Sequence, residues 1–138
     1  MIEAVQRGHE VIGSGGRNGE DMRVFVTGVR GQLGHDVVNA LSSRNHDSIG
    51  SDIQKVYSGV DDDSAVTVVP YVQLDITDRE AVRKTIVEIQ PDAIIHCAAW
   101  TAVDAAEDEV NRVKVDTINH LGTQYIAEAA KAVDAKMV

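Results

Sequence analysis

The sequence predicts an α/β protein, a Rossmann-type doubly wound parallel sheet with strand order 3-2-1-4-5. Three observations carry that prediction. Short β-branched runs alternate with amphipathic stretches of helical period over most of the chain. The stretch 93–97, Ala-Ile-Ile-His-Cys, is an apolar run of strand length, as in a strand covered on both faces. Gly28, Gly31 and Gly34 stand between the first such strand and the first helix, where the chain needs a tight turn.

The elements follow in order. Residues 23–27 (Arg-Val-Phe-Val-Thr) read as a buried strand ending at Gly28. A helix is expected from Gln32 to about Ser43, with Leu33, Val37, Ala40 and Leu41 facing inward. Residues 47–52 form a weak second strand and 66–74 a third, interrupted by Pro70. Thr77 with Glu80 three residues later reads as a capping box. It opens a helix whose inner face is Ala81, Val82, Thr85, Ile86 and Ile89, stopped by Pro91. The fourth strand is 93–97. A long helix over about 110–133 carries Val113, Ile118, Leu121, Tyr125 and Ala129, and Lys136-Met137-Val138 begins a fifth strand. The right-handed crossover of parallel strands then favours the doubly wound order.

Composition narrows the function. The chain has 138 residues, 43% hydrophobic and 25% charged, which suits one folded domain. A formal net charge of −9 argues against nucleic-acid binding. A single cysteine, Cys97, allows no internal disulfide and suits a reducing cytoplasm. No apolar run reaches the ~18 residues that a membrane span needs. The first residues lack a basic region followed by an apolar core, so no signal peptide is expected. Residues 1–21, with the glycine-rich stretch 13–21, read as a flexible extension before a domain at 22–138. "RGHEVIGS" at 7–14 echoes "RNHDSIGS" at 44–51, a short echo rather than a repeat unit. Asp61, Asp62 and Asp63 read as an exposed acidic loop, since their spacing matches no calcium-loop pattern.

The glycine turn carries chemistry. Gly28 permits the turn off the strand, Gly31 lets backbone N–H groups approach a pyrophosphate, and Gly34 lets the helix pack close to the sheet. The helix N-terminus adds partial positive charge. The spacing is G-x-x-G-x-x-G, not the G-x-G-x-x-G of the general fingerprint. Asp52 stands 18 residues after Gly34 at the end of the second strand. There it accepts hydrogen bonds from an adenosine ribose, or is an ordinary loop aspartate. Asp75 and Ile76 close the third strand, where they hold an adenine ring, or Asp75 only helps cap the next helix. Arg30 favours a 2′-phosphate, neutralises the pyrophosphate, or is solvated, and the sequence leaves all three open.

Three motifs in this order resemble a known family: "VTGVRGQLG" at 26–34, "LDITD" at 74–78 and "HCAAWTAVDAAE" at 96–107. Over about 22–138 the chain is similar to the extended short-chain dehydrogenase/reductases, and within them to the dTDP-4-dehydrorhamnose reductases. The resemblance implies that Gly28, Val29, Arg30, Gln32 and Leu33 hold the pyrophosphate of NADH or NADPH. It places Asp52 and Ile53 near the adenosine ribose and Asp75 with Ile76 near the adenine. Ala98, Ala99 and Trp100 would line the nicotinamide-side ribose. Thr101, Val103 and Asp104 would face a nucleotide-sugar substrate, and Asn119 would support the active site. Mg²⁺ and a homodimer are family possibilities.

The chain also departs from the family. Asn-Ala-Ala-Ala-Tyr is replaced by His96-Cys97-Ala98-Ala99-Trp100. His96 and Cys97 read as wall residues, because neighbours on a strand point to opposite faces. The family's Tyr-x-x-x-Lys pair is missing: none of Tyr57, Tyr71 and Tyr125 has a lysine four residues on. The expectation is therefore the cofactor-binding N-terminal part of a reductase, with no catalytic residue in this chain and no turnover alone. The alternatives are a nucleotide-sugar epimerase or dehydratase, a non-catalytic regulatory subunit like the methionine adenosyltransferase beta subunit, and a Rossmann domain that binds nothing.

Overall fold

The computed structural model of the chain describes residues 22–55, 69–98 and 109–138. The extension at 1–21, the Asp61–Asp63 acidic run and the first residues of the expected third strand lie outside them. Five strands run through the described residues: β1 (Arg23–Thr27), β2 (Asp47–Asp52), β3 (Tyr71–Gln73), β4 (Ala93–His96) and β5 (Lys136–Met137). Three helices connect them: α1 (Gln32–Ser43), α2 (Arg79–Ile89) and α3 (Glu109–Ala132). The strands form one parallel sheet in the order β3-β2-β1-β4-β5, as the alternation predicts. Phe25 at the centre of β1 lies opposite Ile49 of β2 and Ile94 of β4.

Side-chain alternation along β1 divides the core. Phe25 joins Ile49, Val72, Ile86, Ile94 and Ile126 in the larger cluster, which takes in residues of α2 and α3. Val24 and Val26 point the other way, to Val29 and Val38 beside α1. A sheet covered on both faces is why its central strands β1 and β4 read as largely apolar runs.

The inner faces of two helices differ from the hydrophobic pattern. In α1, Leu33 is 66% exposed and Ala40 is also exposed, while Gly34, His35 and Val38 are buried and Val37 and Leu41 partly so. The contact point is Gly34, which turns its own side of the helix to the turn after β1. In α3, Val113 is 61% exposed, and the buried face runs through Val115, Gly122, Ile126, Ala129 and Ala130. Ile118, Leu121 and Tyr125 flank that face, half-buried. Gly34 brings α1 against the Gly28 and Val29 backbone, and Gly122 makes room for Ile76, roles that a hydrophobicity count does not register.

The capping box also moves by one residue. Asp78 is the N-cap of α2, its Oδ1 accepting from the Ala81 N–H at 3.1 Å. Thr77 is taken by Asp75 instead, donating to its Oδ1 from the backbone N–H at 2.9 Å and from Oγ1 at 2.6 Å. An aspartate two residues ahead outcompetes the helix for that threonine.

At the opposite end of the sheet Arg23 is buried, only 1% exposed. Its Nε donates to Asp47 Oδ2 at 3.1 Å and its Nη1 to the Ile89 carbonyl at 3.2 Å. Its backbone N–H donates to Asp92 Oδ2 at 2.9 Å. One residue therefore ties the starts of β1, β2 and β4 to the end of α2. Arg23→Met leaves the Asp47 carboxylate without its partner, and removing one member of a buried pair costs about 3 kcal/mol or more. Urea unfolding of the variant should show that loss, and Arg23→Lys should recover only part of it, because an ammonium lacks the guanidinium fork.

Candidate functional site

The C-terminal ends of the strands open into a cleft of about 570 Å³. It lies beside β1, where the strand order runs outward in both directions, the usual ligand position in an open α/β sheet. Thr27, Gly28 and Gly31 come from β1 and its turn, Ser51, Asp52 and Ile53 from the end of β2. Leu74, Asp75, Ile76 and Thr77 follow β3, Cys97 and Ala98 follow β4, and Ile118 and Asn119 come from α3.

The turn is made of backbone packed on backbone. Gly28 has φ +71°, and a Cβ there would lie 2.6 Å from the Ala98 nitrogen. A Cβ on Gly34 would lie 2.2 Å from the Gly28 carbonyl oxygen. Both positions require glycine for the protein's own sake. Gly31 differs: its φ is −78°, and among the described residues a Cβ would meet only the Gly28 oxygen, at an ordinary 3.5 Å. Gly31 is the N-cap of α1 and has no side chain to cap it. The N–H groups of the first helical residues, Gln32, Leu33 and Gly34, have no partners within an α-helix, and the first helical bond is His35 N–H to the Gly31 carbonyl at 3.0 Å. An anion is what such an end accepts.

Asp52 is fixed by two backbone donors. Its Oδ2 accepts from the Arg30 N–H at 3.0 Å and its Oδ1 from the Ile53 N–H at 2.8 Å. The carboxylate is thus oriented by the glycine turn, which an ordinary loop aspartate is not. Side chains of β3 brace the loop beside it. Gln73 Nε2 donates to the Ile53 carbonyl at 3.0 Å, and the Tyr71 hydroxyl donates to the Gln54 carbonyl. Burial, and then the Asp52 charge, push the Tyr71 phenol up to about 12, so it stays protonated and holds the loop.

Thr27 holds the other wall. Its Oγ1 accepts from the Cys97 N–H at 3.0 Å and the Ala98 N–H at 3.1 Å. Those two bonds fill its lone pairs, so its one proton is donated to His96 Nδ1, 2.8 Å away. His96 is then the Nε2–H tautomer, donating to Thr123 Oγ1 of α3 at 3.3 Å. Burial lowers the His96 pKa below its usual value, in keeping with a neutral ring. Burial pushes the Cys97 thiol up, so it lines the wall as a thiol and not a nucleophile.

Of the residues singled out in the sequence, the cleft brings together Gly28, Gly31, Asp52, Ile53, Asp75, Ile76, Ala98 and Asn119. Val29 is buried in the smaller core cluster, its N–H donating to the Ser51 carbonyl at 3.2 Å. Gln32 and Leu33 are exposed at the start of α1. Arg30 is half-buried beside the turn, and its charge opposes the upward push on Tyr71. Ala99, Trp100, Thr101, Val103 and Asp104 lie outside the described residues. Sequence reasoning missed Thr27, Ser51, Leu74, Thr77 and Ile118. Thr27 carried a signal, as the polar last residue of an otherwise apolar strand. Among the described residues no group of three or more His, Cys, Asp or Glu is placed to hold a metal ion, and no helix is long and apolar enough to cross a membrane.

Residues 22–138 match the RmlD substrate binding domain family. The chain is 34% identical over 116 residues to a dTDP-4-dehydrorhamnose reductase of Streptomyces griseus, covering 84% of this chain and 32% of the relative. A dTDP-4-dehydrorhamnose reductase of Mycolicibacterium smegmatis is 31% identical over 84% of this chain and 29% of its own length. The chain thus spans about a third of the curated relatives it matches. Among solved structures, the Bacillus anthracis dTDP-4-dehydrorhamnose reductase in complex with NADP is 34% identical with a TM-score of 0.64, covering 85% of this chain and 35% of that one. The Thermus thermophilus UDP-glucose 4-epimerase complex with NAD is 28% identical with a TM-score of 0.66, covering 83% of this chain and 35% of that one.

The His96 bonds give a pH dependence with a defined sign. As the pH falls, the unfolded chain takes up this proton near 6.5, while the folded ring takes it only at lower pH. The contribution of a neutral His96 to stability is therefore full above about pH 6.5 and is lost on acidification. His96→Asn keeps an acceptor for Thr27 and does not titrate. Urea midpoints measured from about pH 8 to about pH 5 should fall more steeply for the wild type than for this variant.

Proposed function

The chain belongs to the RmlD substrate binding domain family, and on that premise we propose that it is the dinucleotide-binding part of a dTDP-4-dehydrorhamnose reductase. In this reading the full-length enzyme reduces the C4 ketone of dTDP-4-dehydrorhamnose, giving dTDP-rhamnose. The sequence relatives favour this over an epimerase, a dehydratase or a regulatory subunit, since those with 31% and 34% identity carry the reductase name.

The observation that carries the reading is Gly31. Among the described residues, neither its φ of −78° nor its nearest contact of 3.5 Å asks for glycine, yet it lines the cleft at the uncapped start of α1. The space a Cβ would fill is space for a ligand's phosphates. The rest of the cleft fits a nicotinamide dinucleotide. The N–H groups at Gln32, Leu33 and Gly34 face the pyrophosphate. Asp52 accepts from the adenosine ribose, and Ile53 and Ile76 offer apolar contacts beside Asp75 for the adenine. Ala98, held by Thr27, begins the segment that with Ala99 and Trp100 lines the nicotinamide-side ribose. Thr101, Val103 and Asp104 face the nucleotide sugar, and Asn119 supports the site. When bound, the dinucleotide supplies hydride to the ketone carbon. This chain's residues bind and orient; the proton of the ketone oxygen needs a Tyr–Lys pair that these residues do not contain. Mg²⁺ has no place in the proposal.

Titration with NADH and NADPH, read by nicotinamide fluorescence, tests this. Both should bind, with NADH about tenfold tighter because the Asp52 carboxylate repels a 2′-phosphate. Gly31→Ala should keep its stability within about 1 kcal/mol, the scale of an N-cap change, yet lose at least about tenfold in affinity. Equal affinity for wild type and Gly31→Ala removes the argument. The 138-residue chain should bind the dinucleotide without oxidising NADH in the presence of dTDP-4-dehydrorhamnose, and turnover that copurifies with it would contradict the assignment of roles.

A further inference from the structure

Gly122 sits inside α3, where glycine costs about 1 kcal/mol relative to alanine. It is buried, and no turn or positive φ accounts for it. A Cβ built on it would lie 2.4 Å from Ile76 Cδ1, 2.9 Å from Cγ1 and 3.4 Å from Cβ. Ile76 thus rests in the notch that the missing methyl leaves. The same isoleucine lines the cleft between Asp75 and Thr77, and it packs against the larger core cluster. One turn earlier on α3, Ile118 and Asn119 line the cleft themselves.

We propose that Gly122 is a positioning residue for the cleft: it lets Ile76 withdraw against α3 and so sets the room left for the adenine half of the dinucleotide. This rests on the cofactor reading given above. A methyl at 122 has two ways to be accommodated. Either α3 backs away from the sheet, or the end of Ile76 turns off the helix. Ile126, Ala129 and Ala130 hold α3 in the core at 3% exposure or less, so retreat opens packed contacts along a turn or more of the helix. The tip of one isoleucine gives more readily, and with the helix side closed it moves toward the cleft. Gly122 then acts on a ligand it does not touch.

The test uses ADP as the probe of the adenine half and NADH as the whole ligand, with wild type, Gly122→Ala, Ile76→Val, and both double variants, Gly122→Ala with Ile76→Val and with Ile76→Ala. Ile76→Val removes Cδ1, the atom at 2.4 Å. Gly122→Ala should weaken ADP about tenfold, the effect of a modest overpacking. Removing Cδ1 in the double variant should return ADP affinity to within about threefold of the Ile76→Val single variant, a rescue that general damage to folding does not give. Thermal midpoints recorded alongside separate the two. Unchanged ADP binding in Gly122→Ala overturns the proposal. So does a loss that follows the thermal midpoint and that neither Ile76→Val nor Ile76→Ala restores. If the wild-type chain binds neither ADP nor NADH, the cofactor reading fails and this inference with it.

Discussion

The rest of the cleft depends on one close approach, that of the Gly34 backbone to the carbonyl of Gly28. A methyl on Gly34 would lie 2.2 Å from that oxygen, so the first turn of α1 lies directly on the end of β1. That contact decides which side of α1 faces the sheet, burying Val38 and leaving Leu33 outside. It sets the first turn of α1, whose leading N–H groups have no partner within the helix, beside the end of β1. It also fixes the Arg30 N–H that orients Asp52. Without that contact the helix end, the turn and the carboxylate would not share a geometry.

Thr27 serves the other half in a similar way with a side chain. Its hydroxyl gathers the Cys97 and Ala98 N–H groups and the His96 ring, joining β1, β4 and, through Thr123, α3. The two devices are adjacent in sequence, at the last residue of β1 and the first of its turn. A parallel sheet brings its strand ends together, and here two neighbouring positions organise what those ends present.

Much of this was legible in the sequence. Alternating strand and helix patterns gave the sheet order, and the three glycines gave the turn, because backbone sterics leave few residues for such positions. Hydrophobic periodicity placed α1 and α3 but turned the face of α1, taking Leu33 as inward, and of the apolar residues it assigned to α3, Val113 is exposed and Ala129 buried. Large apolar side chains are what a periodicity count weighs, whereas α1 makes its close approach through Gly34 and α3 leaves room for Ile76 at Gly122. Thr77 fits a capping box, and only the nearby Asp75 shows why Asp78 takes that role. The sequence placed Arg23 in a buried strand but not its bonds, since its partners Asp47, Ile89 and Asp92 are distant in sequence. Local rules do not see contacts that only the sheet order creates.

The cleft is assembled from five separate stretches of chain, from Thr27 to Asn119. Each pair of neighbouring walls requires a strand pairing across a long intervening segment, and closing such loops is the slow part of folding. The pocket therefore exists only where β2 has found β3 and β1 has found β4. A ligand that spans it has almost nothing to hold in the unfolded chain, so binding draws the whole topology toward its folded form by mass action. Occupancy of the cleft is in that sense a readout of whether the first four strands have come together.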